Sequence, residues 1–213
     1  MIEVWIADIS PLKEKERYDF YFEKLPMKRK KKAERLRYPT DKCQSVGAWA
    51  VWEKMQQEYS FGTQTVFNFS HSGNYVMCAA RDSAHQDMKI GCDIEQVKDF
   101  KEGVVKRFFA EEENAFIGAI KNEDAKCESF YQHWVLKESF MKAVRLGMKL
   151  EMSSFAFRIE KYKNPVLTRQ PDFITDTFEF REFEIEKGKY KAAVCFSESE
   201  EAKGEICLRI CNL

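Results

Sequence analysis

One lysine in the middle of an apolar helical stripe restricts the fold of this chain more than any other feature. Between Tyr131 and Met148 the sequence is YQHWVLKESFMKAVRLGM, and at about 100° per residue its apolar side chains return to one side, as in a core-facing helix. The stripe consists of Phe130, Trp134, Met141, Val144 and Met148. Lys137 lies at its centre, where an ammonium group is costly to bury without a partner. The stretch therefore predicts a core helix with a paired internal lysine.

Glu138 and Lys142 lie on the rim of the same stripe, four residues apart and so on adjoining turns. Two interpretations fit this spacing. The pair is either an ordinary ion pair at the edge of a core helix, or an acid/base or metal-binding carboxylate with cations beside it. The helix alone leaves both interpretations open.

The composition indicates a globular protein with one sizeable domain or two halves that share a core. The 213 residues are 33% charged and 44% apolar, and the formal net charge is zero. Zero net charge provides no global attraction to nucleic acid or membrane. The seven cysteines include no Cys-x-x-Cys pair, and several lie in apolar runs, which favours a reducing compartment. The first residues, MIEVWIADIS, indicate a strand, and no apolar run reaches the ~20 residues of a membrane span. We expect a cytoplasmic protein.

The charge is uneven in one segment. Lys28 to Lys42 contains eight basic residues against Glu34 and Asp41. Such a cluster is typical of a solvated helix face, and it is also what a polyphosphate ligand requires. RNA binding is a third interpretation, although the chain has neither a glycine-aromatic RNA-recognition signature nor zinc-finger spacing.

Thr65 to Ala80 is predicted to form two short strands joined by a turn at Ser72–Gly73–Asn74. Ser70 and His71 fall near the end of the first strand, on opposite faces. A histidine in such a place is either a hydrogen-bonded structural residue or a ligand-binding one.

Asp93 and Glu95 share one face of a predicted strand, Ile90–Glu95, with side chains ~7 Å apart. Two carboxylates this close repel each other unless a cation lies near them. A sheet edge that faces water is one interpretation. With Glu138 added, three acidic groups would provide the oxygen ligands that Mg²⁺ prefers.

The rest of the chain alternates between helical and strand patterns. Helices are predicted at 12–25, 41–59 and 104–121, and strands at 154–159, 178–185, 190–196 and 205–210. Loops are predicted at 82–89 and 161–176, and a charged link at 121–126. The first half of the chain contains YVMCAA and the second the similar YKAAVCF, which indicates two related α/β halves.

Three motifs stand in a fixed order: FNFSHSG at 67–73, IGCDIE at 90–95 with RFF at 107–109, and WVLKESFMK at 134–142. Together they resemble the 4'-phosphopantetheinyl transferases, in the larger monomeric class. The resemblance implies an α+β fold of two pseudo-symmetric α/β halves, each a small, mostly antiparallel sheet packed with a long helix. We place the halves at 1–95 and 96–213.

The resemblance also implies a reaction, in which the phosphopantetheine arm of coenzyme A is moved to a serine of an acyl or peptidyl carrier protein. Asp93, Glu95 and Glu138 would hold Mg²⁺, and Glu138 would deprotonate the serine. Lys142 would stabilise charge on the diphosphate, with Lys137 preceding it in the motif. The remaining family positions would contact coenzyme A: Lys28, Lys31, Arg37, Ser70 and His71, the last also a candidate catalytic residue.

The sequence departs from the family pattern in two places. The family often has an Arg shortly after the Asp-Lys of its basic helix, whereas here Cys43 and Gln44 follow Asp41 and Lys42. The family usually has Gly-Lys-Pro before the His motif, whereas this chain has FGTQTVF there. Two rival hypotheses are a non-catalytic coenzyme A or nucleotide-binding module and a nucleic-acid-binding protein that uses Lys28–Lys42. We expect a monomer without nucleic-acid or membrane partners.

Overall fold

The chain forms two α+β units. This computed structural model describes residues 1–82, 88–197 and 205–213. Backbone contacts divide the chain into a first unit, Met1–Gln86 with Gly204–Leu213, and a second unit, Asp87–Lys203. The predicted α+β class is confirmed, because each unit contains a small, mostly antiparallel sheet with a long helix packed on it.

The first unit contains a sheet in the order β2-β3-β1-β9, in which only the β1–β9 pair is parallel. Its elements are β1 (Ile2–Asp8), a 3₁₀ helix (Ser10–Lys13), α1 (Lys15–Glu23), α2 (Met27–Arg35), α3 (Pro39–Tyr59), β2 (Val66–Ser72), β3 (Tyr75–Arg81) and β9 (Ile206–Cys211). The long helix α3 packs on β1, β2 and β3. Trp5, Val51, Trp52 and Met55 lie in the core between helix and sheet.

The second unit contains an antiparallel sheet in the order β4-β8-β7. Its elements are β4 (Ile90–Gln96), α4 (Glu102–Phe108), α5 (Glu111–Ala119), α6 (Glu123–Val144), 3₁₀ helices (Gly147–Lys149 and Met152–Ser154), β5 (Ala156–Arg158), β6 (Val166–Arg169), β7 (Phe178–Ile185) and β8 (Tyr190–Ser197). The long helix α6 packs on β4 and β8. Strands β5 and β6 form a separate antiparallel pair.

The two units do not coincide with the predicted halves at 1–95 and 96–213. Strand β4 belongs to the second unit because it pairs with β8 along its whole length. The last strand, β9, belongs to the first unit because it pairs with β1. The two similar sequences, YVMCAA and YKAAVCF, form β3 and β8, and each is an interior strand of its own sheet.

The helix predicted at 104–121 is wrong in its extent, since the segment forms α4 and α5. The chain is extended at Phe109 and Ala110, where the Glu113 carboxylate accepts a hydrogen bond from the Ala110 N–H and begins a new helix. The charged segment 121–126 is likewise not a link but the start of α6. The Asn122 side chain accepts a hydrogen bond from the Ala125 N–H at 2.9 Å, which caps the helix.

The C-terminal end of α6 lies earlier than predicted. The helix ends at Val144, and Arg145 adopts a left-handed conformation with φ of 58°. Met148 therefore leaves the apolar stripe and is 81% exposed. The loop predicted at 161–176 contains β6, a short and mostly exposed strand that follows Pro165. Most of the loop predicted at 82–89 lies outside the described residues.

The other predicted elements are confirmed with shifted ends. Helix α3 begins at Pro39, two residues before the predicted start, because proline is well suited to the first helical turn. The helix predicted at 12–25 is a 3₁₀ helix followed by α1. Among the described residues, no helix is both long enough and apolar enough to cross a membrane.

Candidate active site

Helix α6 lies directly on strand β4 at Gly91. A Cβ atom at Gly91 would be 2.1 Å from the Ser139 carbonyl oxygen and 2.4 Å from the Ala143 nitrogen, distances that real Cβ atoms do not adopt. Only glycine therefore permits this approach. The close packing brings the adjacent turn of α6, with Glu138 and Lys142, to Asp93 of β4, because Asp93 lies on the same face of the strand as Gly91.

Asp93 and Lys142 form an ion pair at this contact. The Lys142 Nζ donates to Asp93 Oδ1 at 2.6 Å and to the Cys92 carbonyl oxygen at 3.2 Å. The Asp93 side chain is 3% exposed and that of Lys142 28%. Burial acts to lower the pKa of Lys142, but attraction to Asp93 outweighs it, so the pKa is raised. Lys142 is thus a protonated cation beside a buried carboxylate, and it pairs with Asp93 rather than with Glu138.

Glu138 is the second carboxylate of the cluster. Burial raises the pKa of Glu138, the negative charge of Asp93 raises it further, and Lys142 partly opposes both. The predicted proximity of Asp93 and Glu138 is therefore present in the structure. A carboxylate held near a like charge has a greater affinity for a proton or a metal cation than one in water.

Glu95 lies two residues beyond Asp93 on the same face of β4 and is half-buried. Glu95 lies near Tyr131, which is two turns before Glu138 on α6. Burial raises the pKa of the Tyr131 hydroxyl, and the negative charge of Glu95 raises that pKa further. Within the described residues, no three His, Cys, Asp or Glu side chains are gathered so that they could hold a metal ion. Asp93, Glu95 and Glu138, all in the described part of the chain, therefore do not form a three-carboxylate cage by themselves.

Lys137 does not belong to a ligand site, and its predicted role in cofactor binding is not supported. Its side chain is fully buried, and its Nζ donates to the carbonyl oxygens of Met152 and Phe155 at 2.8 and 2.7 Å. The third donor reaches Glu113 Oε2 at 2.8 Å. Since an ammonium group has three donors, none remains for a phosphate. The lysine instead connects α6 to α5 and to the segment before β5.

Glu113 is the buried ion-pair partner of Lys137, and the sequence analysis did not identify this partner. Its Oε1 accepts from the Phe157 N–H and its Oε2 from the Ala110 N–H, both at 2.9 Å. The available signal was the acidic run at 111–113, which opens a helix directly after an apolar segment. Gly91 was also missed, although a glycine inside a strand often indicates a close backbone approach.

In the first unit, Ser70 and His71 lie near the end of β2, beside the turn to β3. Ser70 is buried and His71 is exposed. The Gln44 Nε2 donates to the Gly73 carbonyl oxygen at 2.9 Å, which fixes this turn to α3. The thiol of Cys43 donates to the Leu12 carbonyl oxygen. Cys43 and Gln44, which lie where the family pattern often has an Arg, therefore make internal hydrogen bonds.

The basic segment forms the exposed helix α2, with Lys28 and Lys31 one turn apart and Arg37 just beyond its end. Arg29 differs from its neighbours: its guanidinium lies over the rings of Trp49 and Phe69, at 5.1 and 5.7 Å, and donates to the Ser45 carbonyl oxygen. It thereby holds α2 beside the strand that carries Ser70. Burial lowers the pKa of Lys32, and the charge of Arg29 adds to the effect, a repulsion that a bound anion would relieve.

Comparison with known proteins identifies the family. Residues 89–195, which are half of the chain and contain the whole Asp93–Glu138–Lys142 cluster, match the 4'-phosphopantetheinyl transferase superfamily. The 4'-phosphopantetheinyl transferase Sfp of Bacillus subtilis (strain 168) is 36% identical over 129 residues, 61% of this chain and 54% of that protein. The L-aminoadipate-semialdehyde dehydrogenase-phosphopantetheinyl transferase of Rattus norvegicus is 30% identical over 132 residues, 58% of this chain and 41% of that protein.

Among solved structures, the holo-[acyl-carrier-protein] synthase of Thermotoga maritima is similar over 53% of this chain and 64% of that chain, with 22% identity and a TM-score of 0.44. The chain spans about half the length of the curated relatives it matches first. The matched residues and the relatives confirm the predicted resemblance. The chain belongs to the 4'-phosphopantetheinyl transferase superfamily, in its larger, Sfp-like class.

Proposed function

We propose that this protein transfers the 4'-phosphopantetheine group of coenzyme A to a serine of an acyl or peptidyl carrier protein and releases adenosine 3',5'-bisphosphate. The observation that carries the proposal is the cluster of Asp93, Glu138 and Lys142, which lies inside the family match. Transfer at a phosphorus centre requires positioning and charge neutralisation more than covalent help from the protein.

The donor set of this cluster fits Mg²⁺. Asp93 and Glu138 provide oxygen ligands only, and their mutual repulsion, visible in the raised pKa of Glu138, would be relieved by a cation. Mg²⁺ commonly uses one or two protein carboxylates and completes its shell with substrate phosphates and water. Asp93 and Glu138 would hold the ion; Glu95, the third ligand predicted from the sequence, is not gathered with them into a three-ligand group among the described residues. When bound, Mg²⁺ would neutralise charge on the diphosphate oxygens.

Glu138 is the proposed general base for the carrier serine. A base is most effective when its pKa lies close to the working pH, and burial together with Asp93 raises the pKa of Glu138 in that direction. Lys142, held by Asp93 one helical turn from Glu138, would stabilise negative charge on the diphosphate as the bond to phosphorus breaks.

The first unit would bind the nucleotide part of coenzyme A. Lys28, Lys31 and Arg37 provide exposed cations for its phosphates, and Arg29 keeps α2 beside β2. Ser70 and His71, near the end of β2, are the proposed contacts of the His motif. We assign His71 to phosphate binding and keep Glu138 as the base.

The proposal is tested by incubating the protein with coenzyme A, Mg²⁺ and an apo carrier protein, and by measuring the intact mass of the carrier. We expect a mass increase of one phosphopantetheine group that disappears when the metal is chelated. Glu138→Gln removes the base with little change of shape and is expected to abolish transfer. The matched control is Glu123→Gln, an exposed glutamate in the first turn of the same helix.

Two results would contradict the proposal: several carrier types that stay unmodified, or full activity in Glu138→Gln. Binding of coenzyme A that requires Mg²⁺ but gives no product on any carrier would favour the non-catalytic module instead. We further propose that the protein acts as a monomer in the cytoplasm. None of the seven cysteines forms a disulfide, which agrees with a reducing compartment.

A further inference from the structure

The second unit contains a cavity that the proposed reaction does not use. It has a volume of about 280 Å³ and lies between α5, α6 and the β5–β6 pair. Its apolar lining comes from Phe116, Phe157 and Ile159, and its polar lining includes His133 of α6. The cavity is more than large enough for one aromatic ring, since benzene fills an engineered cavity of about 150 Å³.

His133 presents a hydrogen-bond acceptor to this cavity. The ring is 2% exposed, and its Nδ1 lies 2.8 Å from the Ser129 carbonyl oxygen. Because a carbonyl oxygen only accepts, Nδ1 carries the hydrogen. Burial lowers the pKa of His133, so the ring is neutral and Nε2 holds a lone pair. No residue in the described part of the chain donates a hydrogen bond to Nε2.

The neighbouring polar groups of the cavity wall have partners of their own. Both oxygens of Glu113 accept hydrogen bonds, and one is also paired with Lys137. The Thr168 hydroxyl donates to the Ala156 carbonyl oxygen at 3.1 Å. The charged groups of this wall are therefore balanced, and His133 Nε2 is an acceptor of the wall to which no described residue donates, so a ligand donor would bond to it without displacing a protein contact.

The aromatic surroundings favour a flat ligand. The Phe116 ring lies 5.9 Å from the His133 ring at an interplanar angle of 48°, and it is 52% exposed. Phe157, by contrast, is 4% exposed. A ligand ring in the cavity that contacts Phe116 would bury apolar surface of Phe116 that is now exposed and would gain ring–ring contacts.

We propose that this cavity binds a small neutral aromatic molecule with one hydroxyl or N–H donor, of the phenol or indole class, whose donor bonds to His133 Nε2. The site lies outside the cluster of Asp93, Glu138 and Lys142. The inference does not depend on the transfer reaction.

The test compares phenol with anisole, which keeps the ring and the oxygen but has no donor. Both are titrated into the 213-residue protein labelled with ¹⁵N in its three histidines. Phenol is expected to shift the His133 Nε2 resonance and to bind about tenfold more tightly than anisole, the ratio that one buried hydrogen bond provides. Equal affinities, an unshifted Nε2 resonance, or no saturation at millimolar phenol would overturn the proposal.

Two variants identify the site. His133→Phe keeps a ring but removes the acceptor, so phenol should bind only as well as anisole. Should that variant fail to fold, Phe116→Ala at the exposed edge of the cavity should weaken both probes and leave their ratio unchanged. The matched control is Phe20→Ala in the first unit, a phenylalanine of the same 52% exposure. Unchanged binding in Phe116→Ala would place the probes elsewhere and refute the assignment.

Discussion

At the scale of single residues, the Lys142 ammonium supplies positive charge where Asp93 and Glu138 repel each other. Lys142→Met removes that charge and keeps most of the side-chain volume. We expect kcat for carrier modification to fall by about 10²–10³, as for the loss of one group that stabilises developing negative charge. Steady-state kinetics check this prediction, with Lys149→Met, an exposed lysine beyond the helix, as control. A tenth or more of the original kcat in Lys142→Met would contradict it.

We expect Glu182 to make the stability of the fold depend on pH. It lies on β7 opposite Ala193, and burial raises the pKa of its carboxyl to about 7, partly opposed by Lys191. Since the pKa in the folded state exceeds the ordinary value of 4.5, the folded protein binds this proton more tightly than the unfolded chain. The stabilisation is complete below the ordinary pKa and is lost as the pH rises through about 7.

Glu182→Gln should remove this dependence. We expect the free energy of unfolding of the original protein to decrease by about 2 kcal/mol, relative to Glu182→Gln, between about pH 5 and about pH 8. Urea unfolding followed by circular dichroism at several pH values measures the difference. If the free energies of unfolding of the two proteins change with pH in parallel, the pKa of Glu182 is not raised by folding and the prediction is wrong.

At the scale of elements, the contact between α6 and β4 positions the candidate active site. Gly91→Ala places a methyl group 2.1 Å from the Ser139 carbonyl oxygen, so the helix must move away from the strand. We expect a loss of about 1–3 kcal/mol in the free energy of unfolding and a larger relative loss of transfer activity, because Glu138 and Lys142 move with the helix. Thermal unfolding and kinetics on the same samples separate the two effects.

Gly103→Ala is the control for the Gly91 variant. Gly103 lies in α4, and a Cβ atom there would have no neighbour within 4 Å. Alanine should stabilise this helix by up to about 1 kcal/mol. A Gly91→Ala protein with the original stability and activity would show that the helix does not depend on this close approach.

The elements also show what the sequence could and could not predict. Periodicity located β2, β3, β7 and β8 well, because alternating or continuously apolar runs are read directly from the chain. It failed where a side-chain cap interrupts a continuous helical pattern, as at Phe109–Ala110, where the Glu113 carboxylate caps a new helix. It also failed for β6, whose exposed side chains carry no apolar pattern.

The candidate site was predicted less completely than the fold. The sequence placed Lys137 in an apolar stripe and required a partner, but a buried pair 24 positions apart leaves no periodic signal that names Glu113. It also left open whether Lys142 pairs with Glu138. The structure pairs Lys142 with Asp93 because Gly91 lets the helix rest on that face of β4.

At the scale of the whole molecule, the charges cancel but are not evenly spread. The chain has 35 basic and 35 acidic residues, so attraction of an anionic cofactor must come from local clusters such as α2. Lys28→Ala with Lys31→Ala should raise KM for coenzyme A about tenfold at low salt with little change in kcat. The effect should shrink as salt rises, because charges are screened over about 10 Å at 0.1 M ionic strength.

Kinetics at two salt concentrations test the role of α2. Lys15→Ala is the control, because Lys15 is an exposed lysine of the same unit that pairs with Asp19. An unchanged KM in the double variant would assign Lys28 and Lys31 to the solvated face of the helix and would leave Arg37 as the remaining basic candidate.

The complete burial of Lys137 has a practical consequence. Acetic anhydride modifies accessible, deprotonated amines, and the Lys137 amine is sealed from solvent and held by Glu113 and two carbonyl oxygens. Acetylation at this position requires the interior of the second unit to open. The rate at which peptides containing acetylated Lys137 accumulate would therefore report the rate of that opening. It can be measured without any carrier, cofactor or engineered probe.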